Sequence, residues 1–474
     1  MMKYDLKGDA LNPIFTFIIL FAALSVQSSF IDNNTVWKDR AGNEIKAQGG
    51  CILQDGSTFH WIGPVFESGN YNFHAINHYT SIDLQNWTKQ AAILTPDLPG
   101  MASIPLSSTS WVGRPWVMRH DAGDYVMWVE LGKLSGSAFR NRIGVFHSTA
   151  IAGPWTFDTV YVSLPDGSGT QYGIGDLGAF HDVTKGNAYL LYSFDKVETN
   201  GYQAIVKLSS NFRRVLKPEQ GGVIAEFPKP GSNCREAAAM FKRGSIYYYI
   251  MSETRGWRPS STWYRTSDTI GPASSWSALR QVALKPSGNT YSFRTQHDFV
   301  LPVTGSSITT YIYCGDRWSV YDTTDYNGAV GRQAWFPLTF DQSGVPTINA
   351  PGFSANGGDW YLDIATGKWD SIAPSSVCLH SHSQLKEGTS GVSFKNRQFS
   401  VYYSLSRRAL ITISIITLKG SLVCNLEQGN KEPGSYNVRW NYKGEKNMPV
   451  PKGIYILNIT ADASGLLSGI VVLQ

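Results

Sequence analysis

The chain has 474 residues, of which 16% are charged and 13% aromatic, with 46 glycines and a formal net charge of +5. That balance excludes a disordered chain or a long helical bundle, and the length provides for two or three domains with cores of their own. The positive charges are spread thinly with no basic block, so nucleic acid is not an expected partner.

Lys3 and Lys7 precede the mostly apolar run Ile14–Val26, and small polar residues follow it. The run falls short of the ~20 residues that span a bilayer and has the length of a secretory h-region. Residues 1–29 are therefore expected to be a signal peptide, with an N-terminal membrane anchor as the alternative reading. No later segment is long enough to cross a membrane. The protein is expected to be secreted or held at the cell surface, without a stable membrane span.

Five apolar, β-forming runs follow: Phe59–Pro64, Tyr125–Leu131, Ala188–Phe194, Ile246–Glu253 and Thr310–Trp318, with centres roughly 60–65 residues apart. About 20 residues after each of the first four comes a strand ending in Ser, then a turn, then a bulky residue (Tyr79–Trp87, Phe146–Trp155, Lys207–Val215, Arg265–Trp276). Five repeats of this length, each worth about four strands, predict a five-bladed β-propeller over residues 30–372. A multi-sheet sandwich with coincidental spacing is the competing reading. Fourteen of the fifteen tryptophans lie in Trp37–Trp369. Residues 373–394 read as a linker, and 395–474, with five strand-like runs, as a small Ig-like sandwich, making the chain all-β.

Propeller geometry brings residues distant in sequence to one channel mouth. Four acidic residues fall near inner-strand ends: Asp176, Glu236, Asp298 and Asp316. Glu236 precedes Ala237, Ala238, Ala239 and Met240, which would desolvate it and raise its pKa, as a proton donor needs. It could equally be a strand-end charge paired with Arg235 or Lys242. Asp176, among glycines, suits a charged partner to that acid or a turn aspartate bonding its own backbone. Asp316 suits a site role or a pairing with Arg317. Trp111, Trp116, Trp257, Trp263 and Trp318 lie near turns, where rings stack on sugars or simply pack blades. The nine histidines and five cysteines (Cys51, Cys234, Cys314, Cys378, Cys424) show no metal-ligand spacing, no disulfide framework is evident, and no nucleotide or nucleophile-elbow motif is present.

Over residues 37–370 the blocks Trp37–Gly50, Arg114–Trp128, Gly175–Ser193, Arg235–Pro259, Thr290–Val303 and Cys314–Trp318 resemble glycoside hydrolase family 43, most of all its exo-β-1,3-galactanase branch. The resemblance implies that Glu236 is the general acid, that Asp176 modulates it, and that Gln296 positions the attacking water in an inverting mechanism. It further implies substrate contacts from Trp257, Trp318, Asp316, Gln48 and Arg114, on a galactan or arabinogalactan substrate. No cofactor is required, and a Ca²⁺ ion in the channel is left open. Three positions depart from the branch: Gly113 replaces a Glu, Pro64 replaces the Glu that ends the first inner strand, and Gln48 replaces a His. Glu130 and Glu67 are candidates to make good a lost carboxylate. These departures motivate a non-catalytic carbohydrate-binding propeller as an alternative. An α-L-arabinofuranosidase or β-xylosidase of the same family is another. The tail Gly434–Ile459 resembles Ig-like modules of secreted bacterial proteins, including type IX sorting domains, which implies export or surface attachment.

Overall fold

The computed structural model describes residues 28–65, 72–96, 108–132, 142–161, 164, 171–196, 199–229, 235–318, 332–353, 357–371 and 391–473, the last apart from 396–397, 406–407, 419, 445–447, 452 and 462–463. The expected signal peptide, Glu67, Cys234 and Cys378 lie outside these residues.

Residues 28–372 form one compact unit. Five of its sheets follow in chain order as the blades of the β-propeller that the repeat predicts, and a small sixth joins Ser28–Ile31, Trp360–Asp363 and Trp369–Asp370. Blade one holds Cys51–Asp55, Thr58–Pro64, Ile76–Ser81 and Thr88–Lys89; blade two holds Trp111–Arg119, Tyr125–Gly132, Arg142–Ser148 and Thr156–Tyr161. Blade three holds Gln171–Asp182, Asn187–Lys196, Thr199–Lys207 and Val223–Phe227; blade four holds Arg235–Arg243, Ile246–Glu253, Thr262–Ser267 and Arg280–Gln281. Blade five holds Gln296–Thr304, Thr309–Asp316, Gln333–Phe340 and Pro346–Asn349, with Ala283–Lys285 added in parallel at its edge.

The five apolar runs are the second strands of the blades. Each is covered on both faces because its blade is packed between two others, which is why these runs read as continuously apolar. Tyr125–Gly132, for instance, is buried at every position. The core is correspondingly layered: Ile62, Val112 and Met127 pack between blades one and two. Met118, Trp128 and Leu190 fill the next layer, and Leu191, Met240 and Tyr249 the one after. A larger layer around Trp61, Tyr248, Tyr313 and Trp335 joins blades four, five and one. Pro64 closes a second strand, opposite Ile76, so it does not stand at an inner-strand end as the sequence suggests.

The ring is closed by the segment that precedes blade one. Ser28–Ile31 pairs with Trp360–Asp363, two residues ahead of the expected domain start. The Asn33 amide donates to the carbonyls of Trp335 and Gly358 and accepts from the Trp335 N–H.

The C-terminal unit has two sheets, one of Gly391–Lys395, Gln398–Leu405 and Gly434–Trp440, the other of Leu422–Lys431, Ala409–Thr417, Gly453–Ala461 and Ser464–Leu473. Val401, Tyr403 and Trp440 from the first sheet share a core with Ile411, Ile413, Ile415 and Leu457 from the second. This is a two-sheet sandwich. It begins at Gly391, inside the expected linker, and it has two strands, Gly391–Lys395 and Leu422–Lys431, that the sequence pattern did not mark. Cys51 and Cys314 are buried free thiols, and Cys424 is buried in the sandwich core.

Candidate active site

Four of the five inner strands carry a β-bulge at one end of the channel. In blade two the register passes from Gly113 opposite Glu130 to Trp116 opposite Trp128. The same single-residue excess occurs between Gly175 and Gly178, between Glu236 and Ala239, and between His297 and Phe299. Three bulges include a non-glycine residue with positive φ: Arg114 at +42°, Asp176 at +45° and Ala237 at +53°. A bulge bends its strand and re-aims side chains. Here it gathers Arg114, Asp176, Glu236, Gln296 and Asp298 at one mouth. The other strand ends, with Arg119, Asp182 and Lys242, line a cavity of about 630 Å³ at the opposite mouth, away from this cluster.

Arg114 is the hub. Its guanidinium is 8% exposed and lies 3.1 Å from the Asp298 carboxylate and 4.0 Å from that of Asp176. Burial would lower its pKa, but the carboxylates of Asp298, Asp176, Glu130 and Asp316 hold it above its ordinary value. On the acidic side, burial followed by the Asp176 charge pushes Glu236 well above the usual carboxylate range, against hydrogen bonds from Thr254 and Gln296. That direction favours the protonated form of Glu236, and its hydrogen bond to Asp176 works against the desolvation of the aspartate. Glu130, 1% exposed, is raised by the same two causes, and its Oε2 accepts the Asp176 backbone N–H at 2.8 Å. Asp176 is itself raised, by desolvation deep in the channel, though its side chain keeps 41% of its surface open to water. Asp298 is pushed up to about 6 by burial, and Asp316 well above its usual range by burial and the charge of Asp298, with which it shares a hydrogen bond. Five carboxyl groups face one guanidinium in a dry place, and burial raises all five.

Gln296 joins the acid to the wall. Its Nε2 donates to Glu236 Oε1 at 2.7 Å, and its Oε1 accepts the Trp318 indole N–H at 2.7 Å. Trp318 is buried and meets Trp257 edge to face at 4.6 Å. Ahead of Gln296, Tyr291–Arg294 form a turn with φ between +48° and +64° throughout, a costly conformation for non-glycine residues. The Ser292 hydroxyl holds it by donating to the Ser260 carbonyl, with the Thr262 hydroxyl 2.7 Å away.

The structure thus brings together Glu236, Asp176, Gln296, Arg114, Trp318 and Trp257. Asp316 lies one layer down, accepting the Gly49 N–H at 2.6 Å. The Gln48 amide donates to the carbonyls of Arg317 and Arg332, so it links the start of blade one to blade five. The pairings weighed for Glu236 take other forms: Arg235 lies over the Trp263 ring, and Lys242, at the far end of the strand, sits 3.6 Å from Asp182. Arg317 donates to the Asn33 carbonyl, across the ring closure. Sequence reasoning did not single out Thr254 or His297. The His297 Nδ1 lies 3.1 Å from the Ala237 carbonyl, and burial lowers its pKa to about 3. Neither carries a motif; only the bulge geometry reveals them. Among the described residues no group of three or more His, Cys, Asp or Glu is arranged to hold a metal ion. No helix among them is long and apolar enough to cross a membrane.

The model of the glycosyl hydrolases family 43 matches residues 50–346, well over half of the chain. Among solved structures, an exo-β-1,3-galactanase from Phanerochaete chrysosporium with β-1,3-galactotriose is 24% identical, with 94% of this chain and 100% of that one covered and a TM-score of 0.58. An exo-β-1,3-galactanase from Clostridium thermocellum is 22% identical over 94% of this chain and 100% of that one, with a TM-score of 0.59. A family 43 β-1,3-galactosidase with galactodeoxynojirimycin is 24% identical over 67% and 98%, with a TM-score of 0.55. No curated protein matches the sequence. At these identities the structural likeness speaks for the fold, while the family match speaks for the class. The chain belongs to glycosyl hydrolases family 43 and is a glycoside hydrolase on a five-bladed β-propeller.

Proposed function

We propose that the protein is an exported, inverting exo-glycosidase that acts on galactan or arabinogalactan, with β-1,3-galactosidic linkages favoured. Glu236 protonates the leaving oxygen, Asp176 keeps that proton in place until the sugar binds, and Gln296 orients the attacking water. The observation that carries the reading is the Glu236 carboxyl, tied by Gln296 to the buried Trp318 and pushed well above the usual carboxylate range by burial and the Asp176 charge. The names of the similar solved structures support the choice of sugar, and the N-terminal sequence supports export.

Inversion requires water on the face opposite the acid, with the two groups about 6.5–9.5 Å apart. Gln296 donates directly to Glu236, so the entering sugar must part them. The Trp318 tether holds the Gln296 carbonyl while its amide swings to the water. Arg114, 4.0 Å from Asp176, favours its charged form against burial.

Product analysis tests the reading. Incubation with β-1,3-galactan should release free galactose, with the α-anomer appearing first by NMR. Initial release of the β-anomer would overturn inversion. Cleavage of nitrophenyl α-L-arabinofuranoside or β-xyloside in preference to galactan would move the substrate elsewhere in the family. The C-terminal sandwich is read as an export or surface-attachment module, which predicts that its removal leaves hydrolysis of soluble oligosaccharides unchanged.

A further inference from the structure

Gly113 and Glu130 face each other across the first two strands of blade two. A Cβ on Gly113 would come within 2.5 Å of the Trp111 indole, so the wall at that position is already filled. The carboxyl group comes from the opposite strand instead. Glu130 Oε2 accepts the backbone N–H of Asp176 at 2.8 Å, and the residue is 1% exposed.

Asp176 needs such an anchor. It sits in a bulge with φ of +45°, a conformation that costs a non-glycine residue on the order of 1 kcal/mol and persists only where its surroundings hold it. Its N–H has left the ladder pairing there, between Gly175 and Gly178. An acceptor from the neighbouring blade can hold that N–H, and Glu130 of blade two does so.

We propose that Glu130 is a positioning residue of the hydrolase: it pins the left-handed backbone of Asp176, and thereby keeps the Asp176 carboxylate beside Glu236. The groups that bear on the outcome are few. Glu236 faces Asp176 and Arg114 as charged groups, with Thr254 and Gln296 as neutral donors; Glu130 faces Asp176, Arg114 and Glu236; Asp298 and Asp316 act through Arg114. Burial and the Asp176 charge raise Glu130 above the usual carboxylate range, which favours its neutral form, and an amide oxygen at the same place can accept the same N–H. The consequence is specific. If Asp176 drifts, Glu236 loses the like charge that holds its proton, and its pKa falls.

The proposal rests on Glu236 being the acid, whichever sugar is cleaved. Glu130→Gln keeps a neutral acceptor oxygen at the same reach, whereas Glu130→Met fills the volume without one. Glu130→Gln should retain near wild-type kcat and an unshifted pH profile. Glu130→Met should lose about 10²-fold in kcat, the scale of a ~1 Å misplacement at a reacting centre, with KM little changed and the basic limb moved to lower pH. A purely structural role would not move that limb. Equal damage from both variants at unchanged melting temperature, or an unshifted limb in Glu130→Met, would overturn the idea. A second readout needs no activity. A crystal structure of Glu130→Met should show Asp176 rotated out of its positive φ and away from Glu236; an unmoved Asp176 sinks the proposal even if no substrate has been found.

Discussion

At the scale of single residues, the site turns on which carboxyl holds a proton. Burial and the Asp176 charge raise Glu236, so its acid form persists above the ordinary carboxylate range and is lost as pH rises through the raised value. Hydrolysis should accordingly fall on the alkaline side with the titration of one group. Glu236→Gln keeps shape and the contact with Gln296 but has no proton to give. It should lose about 10²–10⁴-fold in kcat, the usual contribution of a general acid. The loss should be smallest for nitrophenyl glycosides, whose leaving group needs little protonation; an equal loss on all substrates would point to a binding role instead. Gln296→Glu gives a second, opposite-handed check. It sets a carboxylate against Glu236 Oε1, where Gln296 Nε2 now stands at 2.7 Å. Two carboxyls so close share one proton, so the alkaline limb of the pH–kcat/KM profile should move up by about one unit or more. An unshifted limb would show that Gln296 and Glu236 do not meet in the working enzyme.

At the scale of elements, the bulges place these groups, and they allow little space. Gly178 shows how little. A Cβ there would stand 2.1 Å from the Ala238 carbonyl oxygen, where the inner strands of blades three and four pass. Gly178→Ala should therefore cost about 1–3 kcal/mol, the range for overpacking a filled interior, measured by denaturant unfolding. It should also depress kcat, because the strain falls between Asp176 and Glu236; a stable variant of full activity would mean the strands part freely. These bulges mark where sequence reading stopped. The second strands were legible, since burial on both faces leaves an uninterrupted apolar run such as Tyr247–Met251. So was Glu236, whose apolar sequel announces desolvation. The positive φ values of Arg114, Asp176 and Ala237 left no such mark, because none of the three is a glycine. The apolar run alone does not say which strand of a blade it forms, so the expectation that Pro64 ends an inner strand differs from its place opposite Ile76 on a second strand. Glu130 was visible only as a spare carboxylate; its reach to Asp176 depends on cross-strand register, which no local pattern encodes. The strand Leu422–Lys431 was missed for the opposite reason: its edge position leaves it half polar, without a clean alternation.

At the scale of the whole molecule, the acidic groups set opposing pH limits on stability. Asp83 and Asp182 are lowered, despite burial, by hydrogen bonds from Asn86 in one case and from Thr184 and Tyr247 in the other. A lowered carboxyl stabilises the fold above its unfolded pKa and loses that contribution as pH falls through the folded value. The site carboxyls have the reverse sign. Glu130, Glu236, Asp298 and Asp316 are raised, so their contribution is full below the unfolded value near 4 and is lost as pH rises through the folded one. Maximum stability should thus lie in mild acid, and the melting temperature should decline as pH rises from about 4 through about 6, the span over which Asp298 titrates. Asp298→Asn isolates one term. Wild type loses stability between pH 4 and 7 as Asp298 goes from its unfolded value of 3.8 to a folded value of about 6. That difference of about two units corresponds to on the order of 3 kcal/mol, reduced where Asp316 shares the proton. The variant has nothing to ionise there, so its stability relative to wild type should improve by up to that amount over the same span. The comparison of each protein with itself across pH removes the fixed cost of weakening the Arg114 pair. Parallel pH curves for the two proteins would show that Asp298 is already ionised in the folded state at pH 4, and that Arg114 outweighs its burial.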